Sequence, residues 1–159
     1  MLAPLAVVLL ACSGSPEIAS YDLSAADRAA CEAFVADLPD SLADEDRVDA
    51  SPADALGAAY GDPAITVTCG VPVPGDFDQT SRCQEVNGVG WFILDGTDDD
   101  TSVDLRATAP GYRPVVSLVV PSDYRPDEPF QGDDTTAAAL AELSPLVDEH
   151  LRLEQRCDG

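Results

Sequence analysis

Apolar positions with helical spacing begin soon after an apolar N-terminal run. Ser24 and Asp27 fit a capping box, with a hydroxyl at the N-cap and a carboxylate three residues later. From Cys31 to Leu38 the apolar residues recur at i, i+3, i+4 and i+7, which is one face of a helix. The pattern therefore predicts an N-terminal helix that ends before Pro39.

The next segment predicts a loop and a second, short helix. Residues 40–50 are polar and acidic, as in a solvated loop. Residues 51–54 repeat the capping pattern that marks a helix start, with Pro52 at the first helical position. Glycine and proline within residues 60–63 then supply a stop.

Alternating apolar and polar positions predict strands in the middle of the chain. Residues 65–69 alternate, and residues 83–86 and 89–94 flank Asn87-Gly88, a pair that favours a tight hairpin turn. Two more strands are expected at 102–107 and 113–120. A final helix is expected over 134–155, kinked or split at Pro145. Strands between terminal helices predict a single α+β domain whose antiparallel sheet has about four to five strands.

The N-terminal run itself predicts an export signal. Residues 1–11 are apolar or small and lead directly into Cys12, like a lipobox that ends at the acylated cysteine. The run is far shorter than the roughly 20 residues of a membrane-spanning helix. The absence of a basic residue before Arg28 departs from the usual signal, so an apolar strand or helix of a cytosolic domain is the alternative. We expect a signal peptide at 1–11, a lipidated tether at 12–22 and a domain at 23–158.

The strongly negative net charge of the chain excludes one class of partner. The 159-residue chain has 30 acidic and 8 basic residues, a formal net charge of −22. Such a surface repels phosphate backbones, so no nucleic-acid partner is expected. The expected partners are the membrane, reached only through the lipid anchor, and a protein of the cell envelope.

The cysteine count predicts two disulfides. Setting Cys12 aside as the lipid carrier leaves four cysteines, which an exported protein is expected to pair, in one of three connectivities. Cys31 on the first helix and Cys157 after the last are expected to pair, as are Cys69 and Cys83 around one loop. A zinc site is disfavoured because no two cysteines have CxxC spacing and the chain has a single histidine.

An aspartate-rich loop is the candidate metal site. Its carboxylates could supply hard oxygen ligands to calcium, although their order is not that of an EF-hand. The alternative is a solvated hairpin loop, and no other cofactor is expected. The candidate ligands are Asp95, Asp98, Asp99 and Asp100.

Two aromatic residues and the histidine are the remaining candidates. Trp91 and Phe92 are adjacent in a predicted strand, so their rings point to opposite faces. Core packing is the favoured interpretation, and a binding surface would require both to be exposed. His150 is the single side chain whose ordinary pKa suits a general base. Without a nucleophile motif, a surface histidine is favoured, and no catalytic residue is assigned.

Several short motifs carry a family resemblance. They are Cys31 with Leu38-Pro39, residues 59–63, residues 69–72, residues 85–89 with Trp91, and Cys157. Together they resemble the domain of unknown function 3515 family, small secreted or lipid-anchored proteins of high-GC Gram-positive bacteria. The resemblance implies an envelope location and one domain, and it implies no activity.

These observations lead to one expected function and two alternatives. We expect a non-enzymatic lipoprotein at the outer face of the cytoplasmic membrane, acting as a binding or accessory module. An envelope hydrolase that uses carboxylates is one alternative, and a calcium-stabilised structural protein is the other.

Overall fold

The computed structural model describes residues 14–78, 80–94, 97, 100–125 and 135–157. Within these residues the regular elements are, in chain order, α1 (Ala25–Ala36), β1 (Ser41–Leu42), β2 (Glu45–Val48), β3 (Gly57–Tyr60), β4 (Ile65–Val71), β5 (Gln84–Val86), β6 (Val89–Ile93), β7 (Leu105–Thr108), β8 (Tyr112–Arg113), β9 (Val115–Val120), a 3-10 turn (Ser122–Tyr124), α2 (Thr135–His150) and β10 (Arg152–Leu153).

Eight of these strands form one antiparallel sheet in the order β1-β2-β3-β4-β9-β7-β6-β5. Strands β8 and β10 form a separate two-stranded sheet. Both helices pack on the core of the large sheet, and none of the helices in the described part of the chain is long and apolar enough to cross a membrane. The α+β class is confirmed, whereas the expectation of four to five strands is too low.

The first helix follows its sequence signals. The backbone N–H of Asp27 donates to Ser24 Oγ over 3.1 Å, which is the expected cap. Cys31, Phe34 and Leu38 are buried along one face. This face packs on β4, whose alternating inward residues supply the other half of the contact.

Residues 40–50 form the hairpin β1–β2 instead of a loop. Ala43 and Asp44 make its turn with positive φ angles of 49° and 67°. A glycine or asparagine usually marks such a turn, and here only Asp44 belongs to a type that tolerates this conformation well. Glu142 of α2 accepts the Ala43 N–H, so a contact with a distant helix supports the turn.

The short helix expected after Ser51 is also wrong, because residues 51–56 form turns and bends and β3 occupies the four residues that follow. β3 pairs with β4 along its whole length, and the pairing outweighs the local helix signal. At Gly57 a side chain would collide with the Val67 carbonyl, so glycine lets the two backbones approach.

The β5–β6 hairpin and α2 meet at one asparagine. Asn87 and Gly88 have φ angles of 49° and 86°, which confirms the predicted hairpin turn. Asn87 Nδ2 also donates to the Ala141 carbonyl over 3.0 Å. That carbonyl is four residues before Pro145, which has no N–H to offer it. The asparagine therefore supplies the missing donor, and α2 runs through Pro145 as one helix instead of splitting. The helix ends at His150 and not near residue 155 as expected, because Arg152 and Leu153 pair with β8.

The four cysteines pair as expected in number but not in connectivity. The disulfides are Cys31–Cys69 and Cys83–Cys157, so the expected Cys31–Cys157 and Cys69–Cys83 bridges are wrong. Cys31 lies on the face of α1 that packs on β4, which places it against Cys69. The chain after α2 runs instead to the β5–β6 end of the sheet, where it meets Cys83.

Candidate functional site

The last described residues fold back over the molecule as a C-terminal clasp (residues 151–157). Its strand β10 pairs with β8, and the N–H groups of Glu154 and Gln155 both donate to the Gly111 carbonyl. The Cys83–Cys157 disulfide fixes the end of the clasp to the chain before β5. The clasp is thus held by a short strand pairing and one covalent bond.

Two glycines let the clasp lie close to the underlying chain. A side chain on Gly90 would come within 2.6 Å of the Cys157 carbonyl oxygen, and one on Gly111 would collide with the Gln155 carbonyl. Any larger residue at either position would push the clasp outwards.

A surface cleft of about 250 Å³ opens between the clasp and the body of the protein. The side chains of Phe77 and Pro110 form its apolar wall, and charged side chains also line it. The lining residues are Phe77, Pro110, Gly111, Arg113, Glu154, Gln155, Arg156 and Cys157. We call this the clasp cleft.

Arg113 is oriented by the backbone around it. Its Nη1 donates to the carbonyls of Pro110 and Tyr112, each over 2.7 Å. Its Nε lies 3.6 Å from one oxygen of Glu154, and Arg152 donates to the other oxygen over 2.6 Å. Since Arg113 and Arg152 are directly opposite across β8 and β10, Glu154 offsets the repulsion between two like charges.

The face of β8 opposite Arg113 is anchored by Tyr112. Its hydroxyl donates to Asp148 of α2 over 2.9 Å. Burial, and then this contact with a carboxylate, raise the pKa of Tyr112 to about 12. The phenol therefore stays protonated at neutral pH and ties β8 to α2.

A second cleft, of about 310 Å³, lies beside the N-terminal segment. It is formed mainly by small side chains between residues 47 and 58. Next to it the Ile18 N–H donates to the Ser51 carbonyl, and the Ser51 N–H donates to the Pro16 carbonyl, each over 2.8 Å. Ile18 is buried, so part of the segment 12–22, which was expected to be a tether, packs on the domain.

The two candidate aromatic residues are both buried. Trp91 lies in the core under α2, and its Nε1–H donates to Ser144 Oγ over 3.0 Å. Phe92 points to the other face of the sheet, where Phe77 covers it with its ring centroid 5.3 Å away. Neither ring forms an exposed binding surface.

Of the candidate calcium ligands, Asp95, Asp98 and Asp99 lie outside the described residues. Asp100 accepts hydrogen bonds from the hydroxyl and backbone N–H of Ser102, and these bonds lower its pKa. In the described part of the chain no group of three or more His, Cys, Asp or Glu residues is arranged to hold a metal ion.

A buried arginine lies behind the same loop. Arg125 donates to the carbonyls of Thr97, Asp100 and Val103 over 2.6 to 2.7 Å. A guanidinium group therefore occupies the position at which these three carbonyls converge.

His150 ends α2 and faces the end of α1. Its Nε2 lies 2.9 Å from Asp37 Oδ2, an ion-pair distance without hydrogen-bond geometry. The contact joins the two helices, and within the described residues no serine or cysteine nucleophile is bonded to this histidine.

The clasp cleft is the feature that sequence reasoning missed. Arg113 is about 40 residues before Glu154 and Arg156, so no local motif joins them. One signal was present: two of the chain's eight arginines occur in its last eight residues, in an otherwise strongly acidic sequence.

The fold and the clasp define a small α+β protein with two disulfides and a cleft lined by apolar and charged side chains. The family described as "Protein of unknown function (DUF3515)" matches residues 5–155, so the chain belongs to that family. The resemblance of the short motifs is thereby confirmed. No curated protein and no solved structure is significantly similar to the chain.

Proposed function

We propose that this protein is an exported lipoprotein that works as a non-enzymatic binding module at the outer face of the cytoplasmic membrane. The observation that carries the proposal is the cysteine pairing. Four of the five cysteines bond to one another, so Cys12 has no cysteine of this chain left to pair with. It is also the residue that follows the apolar leader, where lipid is attached. Two disulfides are typical of an oxidising compartment.

The docked N-terminal segment makes the attachment short. If Cys12 carries the lipid, residues 12–15 separate the bilayer from Pro16, which is bonded to the domain. Four extended residues span at most about 14 Å. The domain is then held against the membrane, and two acyl chains suffice for stable anchoring.

The position of the clasp cleft supports a binding role for such a tethered domain. The N-terminal segment attaches beside β3, whereas the clasp adjoins β5 and β6. Strands β3 and β6 are four positions apart in the sheet, which is about 19 Å. The cleft is therefore separated from the docked N-terminal segment by several strands, which supports its access to a ligand when the domain is anchored.

The charged groups favour a binding module over the hydrolase alternative. A general acid needs a carboxyl whose pKa is raised. Hydrogen bonds from Thr80 and Ser102 instead lower the pKa values of Asp78 and Asp100, so neither of these two exposed carboxylates suits that role. The Arg125 contacts likewise favour the module over a calcium-stabilised protein, because three loop carbonyls already bind a guanidinium. Equal unfolding midpoints with calcium and with chelator would remove the calcium alternative.

Lipid attachment is tested by Cys12→Ser, with Ser15→Ala as the control in the same segment. We expect the native protein and the control to sediment with membranes and to carry a diacylglyceryl mass on an N-terminal Cys12. The Cys12→Ser variant should lose the lipid mass and keep an uncleaved leader. An unlipidated native protein with an intact leader would overturn the proposal.

The binding role is tested by crosslinking in intact cells. A repeated envelope partner, captured by the native protein and lost after changes at the clasp cleft, is the expected result. Turnover of an envelope glycan or peptide by the purified protein would instead favour the hydrolase.

A further inference from the structure

We propose that the clasp cleft binds a small organic carboxylate whose apolar part lies against Phe77 and Pro110. The inference rests on the binding role proposed above and names the chemistry of the ligand. A free acid and the C-terminal carboxylate of a peptide share this chemistry.

The first reason is the unused hydrogen-bonding capacity of Arg113. A guanidinium has five N–H groups. Both N–H groups of Nη1 donate to backbone carbonyls, and Nε faces Glu154 at 3.6 Å. The two N–H groups of Nη2 have no hydrogen-bond partner among the described residues. The backbone bonds orient the guanidinium, so a carboxylate can bind at Nη2 with little loss of side-chain freedom.

The second reason is the charge of the lining. Arg113 and Arg156 contribute two positive charges and Glu154 one negative charge. The molecule as a whole has a net charge of −22, whereas the lining of this cleft has one more positive charge than negative charges. At physiological salt, charges more than about 8 Å away are largely screened. A bound anion therefore responds mainly to the arginines it contacts.

The third reason is that the arginines already hold a carboxylate. Glu154 lies between Arg113 and Arg152, with one oxygen facing each. A ligand carboxylate at Arg113 would therefore compete with Glu154. Removal of the Glu154 charge should strengthen binding, whereas removal of an arginine charge should weaken it.

The apolar wall decides between an organic acid and an inorganic anion. Phe77 is half-buried and remains available on the cleft side while its ring also contacts Phe92. A volume of about 250 Å³ accommodates one ring and a carboxylate but not a folded partner. Phosphate alone would leave this wall in contact with water.

The test uses the mature lipid-modified protein in neutral detergent, with N-acetylphenylalanine as probe and its uncharged amide as the matched control. We expect the acid to shift the amide signals of Gly111 and Gln155 saturably and the amide to leave them in place. Phosphate should bind more weakly than the acid. A peptide ending in phenylalanine and the free amino-acid derivative distinguish the two sources of the carboxylate by their relative affinities.

Variants of the arginines and of Glu154 should change the affinity for the probe in opposite directions. Arg113→Gln and Arg156→Gln should each weaken binding, about tenfold for Arg113, and Glu154→Gln should tighten it severalfold. Arg28→Gln, a charge change on the exposed side of α1, should leave it unchanged. Equal shifts with acid and amide, or no saturation by about 10 mM probe, would overturn the proposal without any variant. In that case Cys12-dependent anchoring would still stand, because it is measured separately.

Discussion

The centre of the sheet and the C-terminal clasp are built in different ways. Around Cys31–Cys69 the inward side chains of α1, α2 and β4 are buried in one apolar cluster. The clasp is mostly exposed and is held by two strand residues, a few polar bonds and Cys83–Cys157. The two regions therefore differ in role. Apolar burial at the centre stabilises the fold, whereas the clasp presents charged side chains whose hydrogen-bonding groups are not all engaged within the described residues.

The two most buried arginines, Arg125 and Arg113, show the same difference between a structural and an available group. Arg125 donates to three carbonyls and is 9% exposed, so its hydrogen bonds serve the loop it holds. Arg113 has a side chain that is 35% exposed and keeps Nη2 free of hydrogen bonds within the described residues. The same chemical group is structural in one region and available for a ligand in the other.

Removal of the central disulfide should have the largest effect on stability. For Cys31→Ala with Cys69→Ala, chain-entropy theory gives a loss of about 4 kcal/mol for a separation of 38 residues. The buried sulfur atoms also leave a space in the core, which adds to the cost. Denaturant unfolding of the double variant measures the loss. A change below about 1 kcal/mol would contradict the central role of this bridge.

Removal of the clasp disulfide should cost less, although it spans 74 residues. Chain-entropy theory alone would give about 4 kcal/mol, but we expect about 2 kcal/mol for Cys83→Ser with Cys157→Ser. The reason is that the freed clasp gains motion in the folded state and offsets part of the loss. Hydrogen exchange should rise at residues 151–157 while the centre stays protected. Loss of protection throughout the sheet would show that the clasp is part of the core.

Replacement of two buried serines by alanine should change the free energy of unfolding differently. Ser144→Ala removes the acceptor of the Trp91 N–H and should cost about 1–3 kcal/mol, since a buried donor is left unsatisfied. Ser117 is also buried, and its hydroxyl has no hydrogen-bond partner among the described residues. Ser117→Ala should therefore be neutral or stabilising by up to about 1 kcal/mol. Equal losses in the two variants, measured by denaturant unfolding, would contradict this assignment.

The smallest effect concerns alkaline pH. Because the pKa of Tyr112 is raised to about 12, its neutral form contributes stability that is present below its unfolded value near 10 and is lost as the pH rises towards 12. Tyr112→Phe should reduce the loss of stability between about pH 9 and about pH 12. Some loss should remain, since burial also raises the pKa of Tyr60. An unchanged pH profile in the variant would show that Tyr112 does not link β8 to α2 in this way.

Local signals predicted those parts of the fold whose causes are local. The Ser24 cap, the apolar face of α1 and the Asn87-Gly88 turn each depend on residues within one or two turns of chain, and each is confirmed. The strand β3 was missed because residues 51–54, just before it, resemble a helix start, and pairing with β4 outweighs that preference. The hairpin turn at Ala43 and Asp44 was missed because contact with α2 stabilises it.

The candidate site depended even more on tertiary structure. Sequence reasoning singled out two aromatic residues, whose burial agrees with the favoured interpretation of core packing, and aspartates, of which three lie outside the described residues. The clasp cleft joins Phe77, Arg113 and Glu154, which come from three distant segments. Only the folding back of the chain after α2 brings them together.

The sequence by itself determined the two ends of α1, the main hairpin, the α+β class and the number of disulfides, because capping, turn conformation and cysteine count are properties of short segments or of composition. Tertiary structure decided which cysteines pair, how many strands join the sheet and which charged side chains line the clasp cleft. Each of these depends on which distant surfaces pack together, and that is settled by the burial of apolar area over the whole chain.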